Sequence, residues 1–320
     1  MKAIRVKQTG SPEVLRLEQV PDLEPGPGEL LVDVRASGVN PVDTYIRAGQ
    51  QGYAPDVPYT PGIDAAGTVK ALGSTVDSFR VGDRVYLAGS LTGTYAEQAL
   101  CSASQAHPLP ERISFAQGAA VYVPYGTAYR ALLQRGRGVP GEHVLVHGAT
   151  GGVGIAAVQL GNAAGMLVIG TAGTEQGREL VLGQGAIKMF DHHTPEHFEA
   201  IMAFTQGRGV DVVLEMIANA NLSEDLKILA PGGRVVVIGS RGHIEINPRD
   251  IMARDADILG MSMMNVKDGE QRQIHAALAA GLTWGTLSPV VRCEMPLGEA
   301  AKAHELLMRP GAYGKIVLRP

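Results

Sequence analysis

The chain has 320 residues, of which 45% are hydrophobic and 19% charged, enough apolar material to bury a core and to exclude an intrinsically disordered chain. A net charge of -4 supplies no basic surplus for nucleic acid or an anionic membrane. Two cysteines, Cys101 and Cys293, exclude a disulfide framework and a cysteine-rich zinc lobe.

The opening MKAIRVK alternates charge like a strand and is followed by no apolar signal-peptide core. No apolar run approaches the roughly 20 residues of a membrane helix, so a soluble cytoplasmic protein is expected. The first third holds short alternating runs, such as LLVDVRA at 30–36 and GTVKAL at 67–72. Turn signals separate them, among them Pro25-Gly26-Pro27-Gly28, Pro61-Gly62 and Gly82-Asp83. This part is expected to be mostly β.

The pattern changes near residue 140, where strands begin to alternate with helices. Apolar strands are expected at 143–147, 167–171, 187–190, 210–215, 234–239 and 257–261. Helices are expected from Val153, Ala156, Ala157 and Leu160, then over 175–184 and 195–205. Runs rich in Val, Ile and Leu suit strands buried on both faces. Six of them with helical crossovers describe an α/β, Rossmann-type doubly wound parallel sheet. The tail returns to the earlier style, with strands expected at 289–291 and 314–318 around a helix at 297–308. It is expected to fold back onto the first part, giving one domain of 1–122 with 288–320 and a dinucleotide-binding domain of 123–287.

Between the first of the six strands and its helix lies Gly148-Ala149-Thr150-Gly151-Gly152-Val153-Gly154. Glycines there permit a tight turn and bring backbone N–H groups to a pyrophosphate at a helix N-terminus. A glycine cluster alone is weak, since such turns also serve packing. The strand before it, the small-residue helix after it and the six-strand alternation make it a dinucleotide loop, although Gly148, Gly151 and Gly154 depart from the common G-x-G-x-x-G spacing. An NAD site places Asp or Glu at the end of the second strand. Thr171-Ala172-Gly173 stands there instead, which favours NADPH. Glu175 argues the other way, unless Thr174 is a helix N-cap and Glu175 merely sits in the first turn. Arg178 and His192 are the candidate partners of a 2′-phosphate.

Several longer stretches carry a resemblance. They are GVNPVDTYIR at 38–47, PYTPG at 58–62, GDRV at 82–85, VHGATGGVG at 146–154, GTAGTE at 170–175, ANANLS at 218–223, GSRG at 239–242 and EINPRD at 245–250. In these the chain resembles the zeta-crystallin-like NADPH:quinone oxidoreductases of the medium-chain dehydrogenase/reductase superfamily, over essentially its whole length. The resemblance implies that the first domain is a GroES-like catalytic domain. Zinc-dependent relatives hold the metal with a Cys after the Gly-Val step and a His after Pro-Gly. Asn40 and Ile63 stand at those positions, and neither supplies a zinc ligand. The nine histidines are scattered, so a metal-free protein is expected.

The resemblance implies a cofactor site of Tyr45, Thr127, Thr150, Gly151, Gly152, Val153, Gly173, His192, Asn221, Gly239, Ser240, Arg241, Met261, Ser262 and Met263, with Asn40 and Tyr45 as the catalytic candidates. For Asn221 helix N-capping competes, and methionines such as Met261 and Met263 are more often core than site. Without a Lewis acid the substrate must accept reducing equivalents readily. The resemblance implies quinones, including one-electron transfer to ortho-quinones, with activated C=C bonds (alkenals, enones) as the alternative. It also implies a homodimer or tetramer, with the sixth strands joined around residues 258–263. Some members serve as lens proteins or bind AU-rich RNA. Nothing in this sequence favours RNA, with no basic stripe and 5% aromatics.

Overall fold

A computed structural model describes residues 1–50, 52–311 and 313–320. The chain divides into two compact units, Met1–Val123 with Ala279–Pro320 and Pro124–Leu278. The later division falls inside the helix Asp268–Trp284 rather than at 287/288. That helix has no counterpart among the predicted elements. Its signals are an acidic first turn, Asp268 and Glu270, and a buried stripe of Ile274, Leu278 and Leu282.

In the second unit the six expected strands are His143–Val146, Leu167–Thr171, Lys188–Phe190, Val210–Glu215, Leu229–Val237 and Asp257–Gly260. All pair in parallel, in the spatial order third, second, first, fourth, fifth, sixth. Valine and leucine build the middle: Val144, Leu145, Val146, Val212, Val213, Leu214, Val235 and Val236 are all buried. β-branched side chains suit a pleated surface covered on both faces. The chain reverses direction of travel across the sheet between the first and fourth strands. In such sheets that switch point, at the strands' C-terminal ends, is where ligands bind.

The first unit centres on the strand Glu29–Gly38. It pairs antiparallel with Asp64–Leu72 along one edge. On its other edge it takes Gln98–Ser102 and the tail strand Lys315–Arg319. The tail thus joins the first unit's sheet, and Val291–Pro296 adds in parallel beyond it. A helix, Pro41–Ala48, lies within this mostly β unit. Its start and stop are legible in retrospect. Asn40 precedes Pro41 at the first helical position, and Gly49 ends the helix in the left-handed region at φ 65°.

Candidate active site

The second unit's site grows from the turn after the first strand. Gly148 sits at φ 60°, where glycine avoids the steric cost of a side chain. A Cβ built there meets nothing within 4 Å, and one on Gly151 meets only the Gly148 carbonyl at 3.6 Å. The backbone is therefore bare on that side and open to a close-lying ligand. Gly154 differs: a Cβ would lie 2.6 Å from both Ala149 Cα and the Gly148 carbonyl. It is the packing glycine that lets the helix Gly152–Ala163 sit on the loop. The N-cap Gly151 brings no capping side chain, and the first helical bond runs from Ile155 N to Gly151 O at 2.9 Å. The amides before Ile155 have no acceptor within the helix, which leaves positive potential for an anion. These features fit a dinucleotide pyrophosphate, and they place Thr150, Gly151, Gly152 and Val153 together on the loop.

At the end of the second strand, Thr174 accepts from Gly177 N at 3.1 Å and caps the helix Glu175–Leu182. Glu175 is exposed in its first turn. A Cβ on Gly173 would lie 2.5 Å from His193 Nε2 and 2.8 Å from His192 Nε2, so both imidazoles converge on it. Desolvation, then the neighbouring His193 charge, holds His192 below the usual histidine range. Arg178 pairs with Asp191 at 2.9 Å and donates to the Ala172 carbonyl at 3.1 Å.

Past the fourth strand, Asn221 lies inside the helix Ala218–Ile228, which overturns the N-cap reading. Its amide donates to both Glu215 carboxylate oxygens, at 3.3 and 3.1 Å. After the fifth strand, Ser240 donates to the Gly242 carbonyl at 3.0 Å, and Arg241 N donates to Asn219 Oδ1 at 2.7 Å. Gly239 carries no side chain because a Cβ would press to 2.5 Å from the Met216 carbonyl. Met261, Ser262 and Met263 are half-exposed, so the two methionines are not core. Thr127 is buried within Thr127–Tyr129.

Sequence reasoning missed the group beneath the loop. Among the described residues one trio could hold a metal, His147, Glu215 and Asp225, with ligand atoms within 4.8 Å of one another. All three are buried. His147 Nε2 lies 2.8 Å from Asp225 Oδ1 and 3.6 Å from Glu215 Oε2. Burial pushes both carboxyls up, each to about 7, and holds His147 below its usual range. The available signal was Glu215 closing the strand Val210–Glu215, in which Asp211 is the one other charged residue.

The first unit holds Asn40, Tyr45 and Ile63. Tyr45 is half-buried on the helix Pro41–Ala48. Asn40 is buried, and both ends of its carboxamide are engaged. Nδ2 donates to Asp64 Oδ2 at 3.1 Å, and Oδ1 accepts from the Lys315 ammonium. Lys315 also pairs with Asp64 Oδ2 at 3.0 Å, and Val123 N donates to Asp64 Oδ1 at 3.0 Å. Asp43 accepts from Asn40 N at 2.8 Å and from the Tyr95 hydroxyl at 3.2 Å; burial pushes its carboxyl up to about 7. His304 Nε2 lies 3.2 Å from the same hydroxyl and burial holds its pKa at about 3. Zinc does not fit here. The positions offer a carboxamide and an isoleucine, and a lysine cation already sits against Asn40 and Asp64.

A glycine-turned nucleotide fold and a mixed sheet closed by the chain's tail define an oxidoreductase of the medium-chain dehydrogenase/reductase class. Residues 26–111 match the alcohol dehydrogenase GroES-like domain and residues 152–280 the zinc-binding dehydrogenase family. A quinone oxidoreductase of Homo sapiens is 46% identical, over 99% of this chain and 97% of that one. The crystal structure of Escherichia coli quinone oxidoreductase complexed with NADPH superposes with a TM-score of 0.90 at 30% identity, covering all of both chains. An NAD-dependent alcohol dehydrogenase superposes at 0.93 and 28% identity, again over all of both chains. The chain belongs to the quinone oxidoreductase family.

Proposed function

We propose that the protein is an NADPH-dependent quinone reductase that works without metal. The observation that carries this is the end of the second strand. Two imidazoles, His192 and His193, converge on Gly173 where an NAD site would carry a carboxylate, and Glu175 is exposed in the first turn of a capped helix. The loop at 148–154 would hold the pyrophosphate through its amides, and Gly173 with His192 would hold the adenosine end. NADPH supplies the reducing equivalents. The chain's own residues bind and orient it. In the first unit they leave no place for a Lewis acid, because Asn40 and Asp64 are satisfied by Lys315 rather than by metal ligation. An acceptor that needs no metal polarisation, a quinone, suits this chemistry.

Titration of the purified protein with NADPH and NADH tests the cofactor half. NADPH is expected to bind at least about tenfold more tightly, a difference of about 1.4 kcal/mol. The preference should grow as pH falls from about 8.5 to about 6.5, above the second phosphate ionisation near 6. The sign follows from His192: its imidazole is held below its usual range, and a phosphate dianion pulls it back toward the charged form. Equal affinity for NADH, or a flat pH profile, contradicts the 2′-phosphate reading. An acceptor panel then sets 9,10-phenanthrenequinone against a medium-chain enone. Faster turnover of the enone would move the function to C=C reduction.

The sixth strand, Asp257–Gly260, is the last of its sheet, and we propose that two copies join there as a homodimer. Light scattering is expected to return twice the chain mass, and Ile258→Lys should shift the population toward monomer. A monomeric wild type at tens of micromolar would rule this out.

A further inference from the structure

Beneath the glycine loop runs a continuous hydrogen-bonded chain that starts in the buried core. Asp225, on the helix Ala218–Ile228, is fully buried. Its Oδ1 is 2.8 Å from His147 Nε2. His147 Nδ1 is 3.3 Å from the Thr171 hydroxyl, and the Gly148 amide donates to that hydroxyl oxygen at 3.3 Å. The Thr171 carbonyl accepts from Ala149 N at 3.0 Å. One residue, at the end of the second strand, therefore grips the first two amides of the loop.

Donor counting orients the chain. With Asp225 ionised, its Oδ1 takes the Nε2 proton, which leaves His147 Nδ1 to accept the Thr171 hydroxyl proton while the Thr171 oxygen accepts from Gly148. The imidazole is then the tautomer with its proton on Nε2, donated to Asp225 Oδ1. Glu215 completes the cluster, 3.6 Å from Nε2, and is itself held by Ile217 N and by Asn221 Nδ2. Phe198 packs on the imidazole with ring centroids 6.0 Å apart. Nothing in the reduction chemistry uses these groups, and in this order each finds a partner except Asp225 Oδ2, which is buried without one. Burying a histidine and two carboxyls is unfavourable unless their hydrogen bonds are made.

We propose that His147 is a positioning residue for the dinucleotide loop, bracing Thr171 from the buried Asp225 so that the Gly148 and Ala149 amides are held in the geometry that presents the loop to a pyrophosphate. This deepens the dinucleotide reading and rests on it. The brace acts on the loop before any ligand arrives. It therefore sets affinity through the ordering of the loop, a cost that a preorganised site avoids.

Two substitution pairs test it. Thr171→Val keeps the shape and removes the hydroxyl, whereas Thr171→Ser keeps the hydroxyl. His147→Leu removes both ring nitrogens, whereas His147→Asn retains an acceptor for the Thr171 proton. The first readout needs no cofactor: amide hydrogen exchange over residues 147–152. It is expected to quicken about tenfold in Thr171→Val and His147→Leu and to return toward wild type in Thr171→Ser and His147→Asn. The second is NADPH binding, where the dissociation constant and KM should rise about tenfold in the first two variants, with a much smaller change in kcat. Loss of that split, with Ser no better than Val in loop exchange, overturns the proposal. So does one zinc per chain that survives chelator and disappears in His147→Asn, since the imidazole would then be a metal ligand. If wild type fails to bind NADPH, the dinucleotide reading falls, and the exchange data still decide whether His147 orders the loop.

Discussion

Gly154→Val is expected to weaken NADPH binding by at least about a hundredfold, about 2.7 kcal/mol. The argument is steric. A Cβ at 154 would lie 2.6 Å from Ala149 Cα and from the Gly148 carbonyl. Both are backbone, so no side chain can swing aside to make room. The helix must lift or the loop must open, and opening breaks the bonds from Ala149 N to Thr171 O and from Gly151 N to Gly148 O. The two further branches of valine deepen the conflict. Gly148→Ala sets the scale, because it has free space around it and only the left-handed φ of 60° to strain it. That costs about 1–2 kcal/mol. Its loss of affinity should be several-fold smaller than that of Gly154→Val. Calorimetric titration beside circular dichroism separates lost binding from lost folding. Wild-type affinity in a folded Gly154→Val protein would mean that the loop does not bind the cofactor.

The parallel sheet was legible because each strand is short, apolar and followed by helical spacing. The tail's return to the first unit was legible from composition. What escaped was decided by contacts far apart in sequence. Lys315 and Asp64 stand 251 positions apart. Lys315 sits in an apolar strand, KIVLR, where a lone lysine reads as an edge residue. His147 and Asp225 stand 78 apart, and each alone reads as an ordinary polar residue beside a turn or on a helix. Asn40 is a catalytic candidate only through the resemblance, and no local signal announces that its carboxamide holds Lys315 and Asp64. The helix Pro41–Ala48 was hidden by the β style around it, although its cap residues were present. Glycines and caps act locally and so leave local signals. Buried ion pairs leave none until the fold brings them together.

Lys315→Met is expected to destabilise the first unit by about 3–5 kcal/mol, because it leaves a buried carboxylate without its cation. At about 2–4 °C per kcal/mol for a unit of this size, the unfolding midpoint should fall by about 10 °C. Asp64 is 1% exposed and Lys315 4%, so water cannot replace the lost charge. The remaining donors, Asn40 Nδ2 and Val123 N, are dipoles rather than cations. An exposed pair gives the contrast: Lys302 and Glu299 lie 3.4 Å apart at 70% and 43% exposure. Lys302→Met should change stability by no more than about 0.5 kcal/mol. Adding Asp64→Asn to Lys315→Met removes the stranded charge and should recover most of the loss, a non-additivity that a double-mutant cycle reads directly. The same ammonium also binds Asn40, whose backbone N–H donates to Asp43 in the first turn of the helix carrying Tyr45. Hydrogen exchange in Pro41–Ala48 should therefore quicken in Lys315→Met before the rest of the unit opens. A Lys315→Met protein melting within about 2 °C of wild type would mean that Asp64 does not depend on the ammonium.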